Sequence, residues 1–223
     1  VGDIDRGQAE EIAEQMLSGL PEGEMADPKP SVPELTEAKK VMIDYPSSQT
    51  HIKMGQPGIS RDDPDYFPLY VGNHILGGSG LVSQLSNEIR EKRGLAYSVY
   101  SYFIPMHEKG PYQLGLQTRN DQAEQALRVV RETLEKFIQQ GPTEQELTAA
   151  KQNITGGFAL RLDSNSKIAD YLTVIGFYGL PLDYLTSYKD KVNAVTIEQI
   201  KDAFMRRVHP DKMVTVMVGG TAK

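Results

Sequence analysis

The chain has 223 residues, 39% hydrophobic and 24% charged, with a formal net charge of −6 and no cysteine. That length is enough to bury a core, as one large domain or two small ones. The acidic balance excludes the basic footprint of a nucleic-acid binder and gives no reason to expect an anionic membrane surface as partner. The lack of cysteine excludes disulfides, thiolate metal ligands and a thiol nucleophile, and no apolar run reaches transmembrane length.

In chain order, Val1-Gly-Asp-Ile-Asp reads as the end of a strand. A helix follows it: Asp5 with Gln8 three residues on is a capping box, and Ile12, Met16 and Leu20 form an apolar stripe up to Pro21. Residues 21–34 hold four prolines and several acids, which predicts an extended linker over 21–35 and a main domain over 36–223. Val41–Tyr45 and Gln49–Gly55 read as strands, the second alternating Thr50/Ile52/Met54 against His51/Lys53. Asp63-Pro64 predicts a helix start, N-cap then proline, for a helix carrying Tyr66, Leu69, Tyr70, Asn73 and Leu76. Pro68 conflicts mildly with its second turn.

The stretch from Ile75 to Tyr97 organises the rest. It reads as a glycine loop (Gly77, Gly78, Gly80), a short helix with Leu81, Leu85 and Ile89 on its apolar face, and a left-handed stop at Gly94. A strand over 97–104 follows. This turn brings Arg90, on the last helical turn, and Tyr97, at the strand's first residue, to one corner. There a guanidinium and a phenol can both donate to one carbonyl oxygen.

A strand near 112–118 comes next, then a long amphipathic helix from Asp121 with Leu127, Val130, Leu134, Phe137 and Ile138 inside. Thr143-x-x-Glu146 opens a helix towards Leu162 that Gly156-Gly157 weakens. Ser164 caps another through Tyr178, a short helix covers 183–192, Thr196-x-x-Gln199 opens the last, and 212–218 closes the chain as a strand. The order predicts an α+β fold: an antiparallel-rich mixed sheet with helices packed on one face. Val216-Met-Val-Gly-Gly echoes Val1-Gly-Asp, as expected if the chain is one repeat of a tandem pair whose partner lies before Val1.

Of the four histidines, no two have helical i, i+4 spacing. His107-Glu108 begins like a zincin motif, but Pro111 stands where the second histidine belongs, and His-x-x-Glu-His is absent. No zinc site is therefore expected in this chain. Gly78-Ser79-Gly80 matches a nucleophile elbow poorly, and the glycine loop lacks the Lys-Ser/Thr ending of a phosphate loop. Arg90 also has a plain alternative as a surface ion pair with Glu88 or Glu91, and Tyr97 as a residue covering the sheet.

The run Gly77-Gly-Ser-Gly-Leu-Val-Ser-Gln-Leu-Ser-Asn-Glu-Ile-Arg-Glu-Lys-Arg-Gly-Leu-Ala-Tyr-Ser-Val-Tyr resembles the second homologous domain of the pitrilysin-like zinc peptidases. This family includes insulin-degrading enzyme and the mitochondrial processing peptidase, and the smaller bacterial members look most similar. The resemblance extends over nearly the whole chain. It implies one half of a duplicated clamshell peptidase, with zinc held by His-x-x-Glu-His in the other half and Arg90 and Tyr97 reaching across to the scissile peptide. It places Gly77, Gly78, Ser79 and Gly80 as substrate-binding positions. The implied partners are a peptide substrate and a zinc-bearing N-terminal half or partner subunit, with no nucleic acid and no membrane. The implied setting is a bacterial periplasm. A non-catalytic scaffold domain of the same family is the alternative.

Overall fold

The structure is a computed structural model that describes residues 1–24 and 26–220. Its elements in order are α1 (Arg6–Leu17), β1 (Lys39–Asp44), β2 (Gln49–Pro57), α2 (Tyr66–Asn73), a π-turn (His74–Gly78), a 3-10 turn (Gly80–Val82) and α3 (Gln84–Ser86). A second π-turn (Asn87–Glu91), β3 (Val99–Phe103), β4 (Pro111–Arg119), α4 (Ala123–Gln140) and α5 (Glu144–Gly156) follow. The chain continues through α6 (Asn165–Tyr178), α7 (Tyr184–Ala194), α8 (Ile197–Arg207) and β5 (Val214–Gly219). The five strands form one sheet in the order β1-β5-β2-β4-β3. Only the β1–β5 pairing is parallel. The expected α+β architecture with an antiparallel-rich mixed sheet is the one observed.

Register explains why one face is buried. Ile52 lies opposite Leu116 and Met217, and Met54 opposite Leu114 and Thr215, so the alternate residues of three strands share a surface. With strand side chains alternating between faces, this places Ile52, Met54, Leu114, Leu116 and Met217 together, all of them buried. The helices cover that surface. α4 sends down Leu127, Val130, Leu134 and Phe137 as its periodicity predicts. Phe137 meets Phe204 of α8 edge-on, with centroids 4.9 Å apart. α2 crosses α8 at Gly72, where a Cβ would stand 2.6 Å from the Phe204 ring. Buried Gln56 ties the sheet to the end of α8, donating to Arg207 O at 2.7 Å and accepting from His209 N at 2.8 Å.

Three expectations are corrected. α2 begins at Tyr66 with Asp65 as N-cap, not at Pro64, because Asp63 Oδ1 accepts from Asp65 N and makes a turn of the intervening residues. Pro68 therefore sits in the first helical turn, where its missing N–H has no intrahelical partner to lose. Leu81 is exposed although Leu85 and Ile89 are fully buried, because the 3-10 turn before α3 breaks the four-residue period. The helix from Thr143 stops at Gly156 and does not reach Leu162. The capping boxes at Asp5, Thr143 and Thr196 form as their sequences predict. Gly94 and Gly179 take the left-handed conformation at φ +59° and +62°.

α1 stands apart. Its box closes, yet it buries no residue, and Ile12, Met16 and Leu20 of its stripe are exposed. No helix of the described residues is long and apolar enough to cross a membrane.

Candidate functional site

The corner between α2 and β3 is built by close approach. Gly77, expected in an open loop, lies in the π-turn that extends α2, and it is buried against β3. Beside it Asn73 Nδ2 donates to Ser101 O at 2.8 Å while Ser101 Oγ donates to Asn73 Oδ1 at 2.7 Å. This buried reciprocal pair fixes the helix on the strand. Ser79 N closes the π-turn onto His74 O at 3.0 Å. Gly80 then needs φ +64° to start the next turn, a conformation open to glycine. Gly78 and Gly80 are exposed and Ser79 is half-buried, so the glycine segment presents backbone to solvent only after Gly77.

From there Ser83 caps α3, accepting from Ser86 N at 3.2 Å and donating to Gly80 O at 2.7 Å. The second π-turn carries Arg90. Gly94 N donates to Arg90 O and Leu95 N to Ile89 O, both at 2.9 Å, which turns the chain back towards β3. Thr118 Oγ1 pins the returning segment through Leu95 O at 2.6 Å. Tyr97 lies in the bend two residues before β3, not at its first position.

This path places the Arg90 guanidinium over the Tyr97 ring, 4.6 Å from its centroid. Arg90 Nη1 is buried without a hydrogen-bond partner, whereas Tyr97 is 81% exposed. The plain alternative of a surface ion pair is realised with Glu91 and not with Glu88. Glu88 accepts from Lys92 and Arg93 instead, which hold its carboxyl below its ordinary range despite partial burial. Only Glu91 approaches Arg90, at 3.5 Å from Nε. The corner thus holds a phenol open to solvent and a guanidinium with an unused donor.

A second constellation, along α2 and reaching Asn73 and Gly78 at the edge of the corner, was not legible in the sequence. Arg61 Nη1 donates to Tyr66 OH at 2.7 Å and Nη2 to Tyr184 OH at 2.9 Å, while Arg161 Nη1 donates to Tyr70 OH at 3.2 Å. Only the i, i+4 spacing of Tyr66 and Tyr70 on one helix hinted at it.

No group of the described residues fits a metal. Among the described residues no three His, Asp or Glu side chains gather. His51 is exposed on β2, His74 closes α2, His107 stacks on Phe177 and Tyr178 at 4.6 and 4.9 Å, and His209 follows α8. A zinc ion cannot be assigned to these residues.

A family profile described as the peptidase M16 inactive domain matches residues 1–154. The chain belongs to the peptidase M16 inactive-domain family. The crystal structure of the peptidase M16 inactive domain from Pseudomonas fluorescens superposes with a TM-score of 0.93 at 42% identity, over 99% of this chain and 52% of that one. An uncharacterized zinc protease of Streptomyces coelicolor is 34% identical over 127 residues, 57% of this chain and 28% of its own length. A non-peptidase homolog of Helicobacter pylori is 25% identical over 226 residues, all of this chain and 51% of that protein. The chain thus spans about half, or less, of the length of these three proteins, as one half of a duplicated clamshell fold does.

Proposed function

We propose that this chain is the C-terminal, zinc-free half of a zinc-dependent endopeptidase or oligopeptidase. It supplies substrate-binding surface and the pair Arg90 and Tyr97, which orient the scissile peptide and stabilise the tetrahedral intermediate. Zinc, held by an N-terminal half or a partner subunit, would supply Lewis-acid chemistry at the scissile carbonyl. The observation that carries the proposal is the stacked pair at 4.6 Å with Arg90 Nη1 unpartnered beside an exposed Tyr97.

A buried, unpartnered guanidinium N–H is costly unless something accepts from it. A peptide carbonyl laid across the corner would accept, and the Tyr97 hydroxyl adds a second donor. Stacking on the ring holds the guanidinium in place before substrate arrives, so little reorganisation is needed as charge develops on the oxygen. Exposed backbone at Gly78 and Gly80, with Ser79, forms the adjoining wall of this proposed surface, and Gly77 sets its position from below. Residues 1–20, which bury nothing, we assign to a strand end and helix left from the preceding half, 21–35 to the linker and 36–223 to the domain proper, residues 25 and 221–223 lying outside the described residues.

The test is peptide hydrolysis by the parent protein, or by this chain together with its zinc-bearing half. Arg90→Ala and Tyr97→Phe should each lower turnover by roughly 100- to 1000-fold with the fold intact. Unchanged turnover in both would return the pair to a surface contact. The non-peptidase naming of the Helicobacter relative favours a second reading, a non-catalytic interaction domain. An intact wild-type assembly that binds no zinc and cleaves nothing would select it.

A further inference from the structure

A cavity of about 370 Å³ opens between α2, the end of β3 and the turn after α5, with Arg61 and Arg161 both in its wall. Neither arginine has an acidic partner among the described residues. Of the acids that follow Arg61, Asp63 and Asp65 accept from Arg206 and Arg207, and exposed Asp62 forms no ion pair with Arg61. Both guanidiniums rest on phenols instead. Tyr66 and Tyr70 stack one helical turn apart, with centroids 5.9 Å apart and planes within 3°. Arg61 bonds the first hydroxyl and Arg161 the second, so the two cations flank one phenol pair. Arg61 Nε is buried without a partner.

The remaining lining carries no negative charge. Burial drives His74 towards its neutral form, aided by the Arg161 charge, and burial likewise keeps the Tyr66 phenol protonated. The walls from Ile59, Leu69, Phe103 and Pro105 are apolar. Two cations with free donors, an apolar surround and no anion make a site of incomplete charge balance. β3 is the last strand of the sheet, and Tyr102 to Pro105 lead from it into the cavity wall. An extended peptide alongside that strand would pass the opening.

We propose that this cavity binds a carboxylate of a peptide, either a chain-terminal carboxylate or an acidic side chain, between Arg61 and Arg161. The site is separate from Arg90 and Tyr97, and its occupancy does not depend on their proposed role. Tyr66 and Tyr70 position the two guanidiniums.

Binding is read by isothermal titration on the 223-residue chain alone, with three short peptides. One has a free C-terminus and no acidic side chain, one is amidated with a single central Glu, and one is amidated with Gln in its place. At least one carboxylate peptide should bind about ten-fold or more tightly than the neutral one, and which one does names the source. In Arg161→Gln, on an exposed turn, and in Arg61→Lys, which keeps the charge but loses the fork, that advantage should fall about ten-fold, with circular dichroism unchanged. Equal affinity for all three peptides, no binding of any, binding of inorganic phosphate alone, or wild-type affinity in both variants would overturn the proposal. No zinc half is present in this assay, so failure here leaves the turnover test of Arg90 and Tyr97 standing.

Discussion

Gly77→Ala should be among the more damaging single-methyl changes available in the chain. A Cβ at Gly77 would stand 2.3 Å from Ser101 Oγ, 2.7 Å from Ser101 N and 2.8 Å from Leu85 Cδ1. The hydroxyl and the leucine methyl can rotate away, but the nitrogen cannot, because it belongs to β3 opposite Leu114. The π-turn must therefore lift off the sheet by several tenths of an ångström. Overpacking of this kind costs about 1–3 kcal/mol. Rotating Ser101 also breaks its 2.7 Å bond to buried Asn73, a further loss of about 1 kcal/mol. Reduced freedom of the unfolded chain offsets about 0.4–1 kcal/mol. The net loss is about 2–3 kcal/mol, which at a urea slope of about 2–3 kcal/mol/M moves the unfolding midpoint down by about 1 M. In a Ser101→Ala background the clash with Oγ is gone but the one with the backbone nitrogen stays, so the loss should shrink without vanishing. Gly19→Ala, with open space around it, is the neutral control. A Gly77→Ala midpoint within about 0.2 M of wild type would refute the claim that a close approach of helix to strand holds this corner.

Two other outcomes are expected. Asp65 accepts from both Arg206 nitrogens and from Arg207 Nε at 2.7–2.8 Å, and these arginines, Arg206 first, hold its carboxyl below the ordinary 3.8. Arg206 is half exposed and also bonds Asp202, so Asp65→Asn should cost about 2 kcal/mol at pH 7, less than a fully buried pair. A depressed folded pKa means the contribution is present above pH 3.8 and lost as pH falls through the folded value. The gap between wild type and variant, measured by urea unfolding, should therefore close below about pH 4. Deleting residues 1–20 should leave the unfolding free energy unchanged within about 0.5 kcal/mol, because α1 buries nothing, and amide exchange in α1 should be close to unprotected. Slow exchange across α1 would show a contact that its exposure denies.

What the sequence made legible was local chemistry with a fixed spacing. The boxes at Asp5, Thr143 and Thr196 depend on residues three apart, and the left-handed stop at Gly94 on a missing Cβ, so each could be seen without knowing the fold. The inward faces of β2 and α4 followed from periods of 2 and 3.6. The corner was legible for the same reason. Arg90 and Tyr97 are seven positions apart with one glycine turn between them, so their meeting needs no distant element. The details that failed there are those a regular period cannot encode: two π-turns and a 3-10 turn that throw Leu81 outward and bury Gly77.

The arginine cavity lay beyond reach on different grounds. Arg61 and Arg161 come together only because α5 ends at Gly156 and returns a turn over α2, a consequence of tertiary packing. Each arginine alone has the sequence context of an ordinary surface cation, and Asp62 and Asp63 beside Arg61 suggest a local ion pair. The structure sends Asp63 to Arg207 instead, and exposed Asp62 forms no ion pair with Arg61. The same logic governs Arg90, whose neighbour Glu88 is taken by Lys92 and Arg93. At both places a carboxylate close in sequence, Asp63 or Glu88, is committed elsewhere, and one guanidinium nitrogen, Arg61 Nε or Arg90 Nη1, is buried and unpaired, although Glu91 stands 3.5 Å from Arg90 Nε. A buried donor without an acceptor is expensive, and that cost is the physical ground on which both proposals rest.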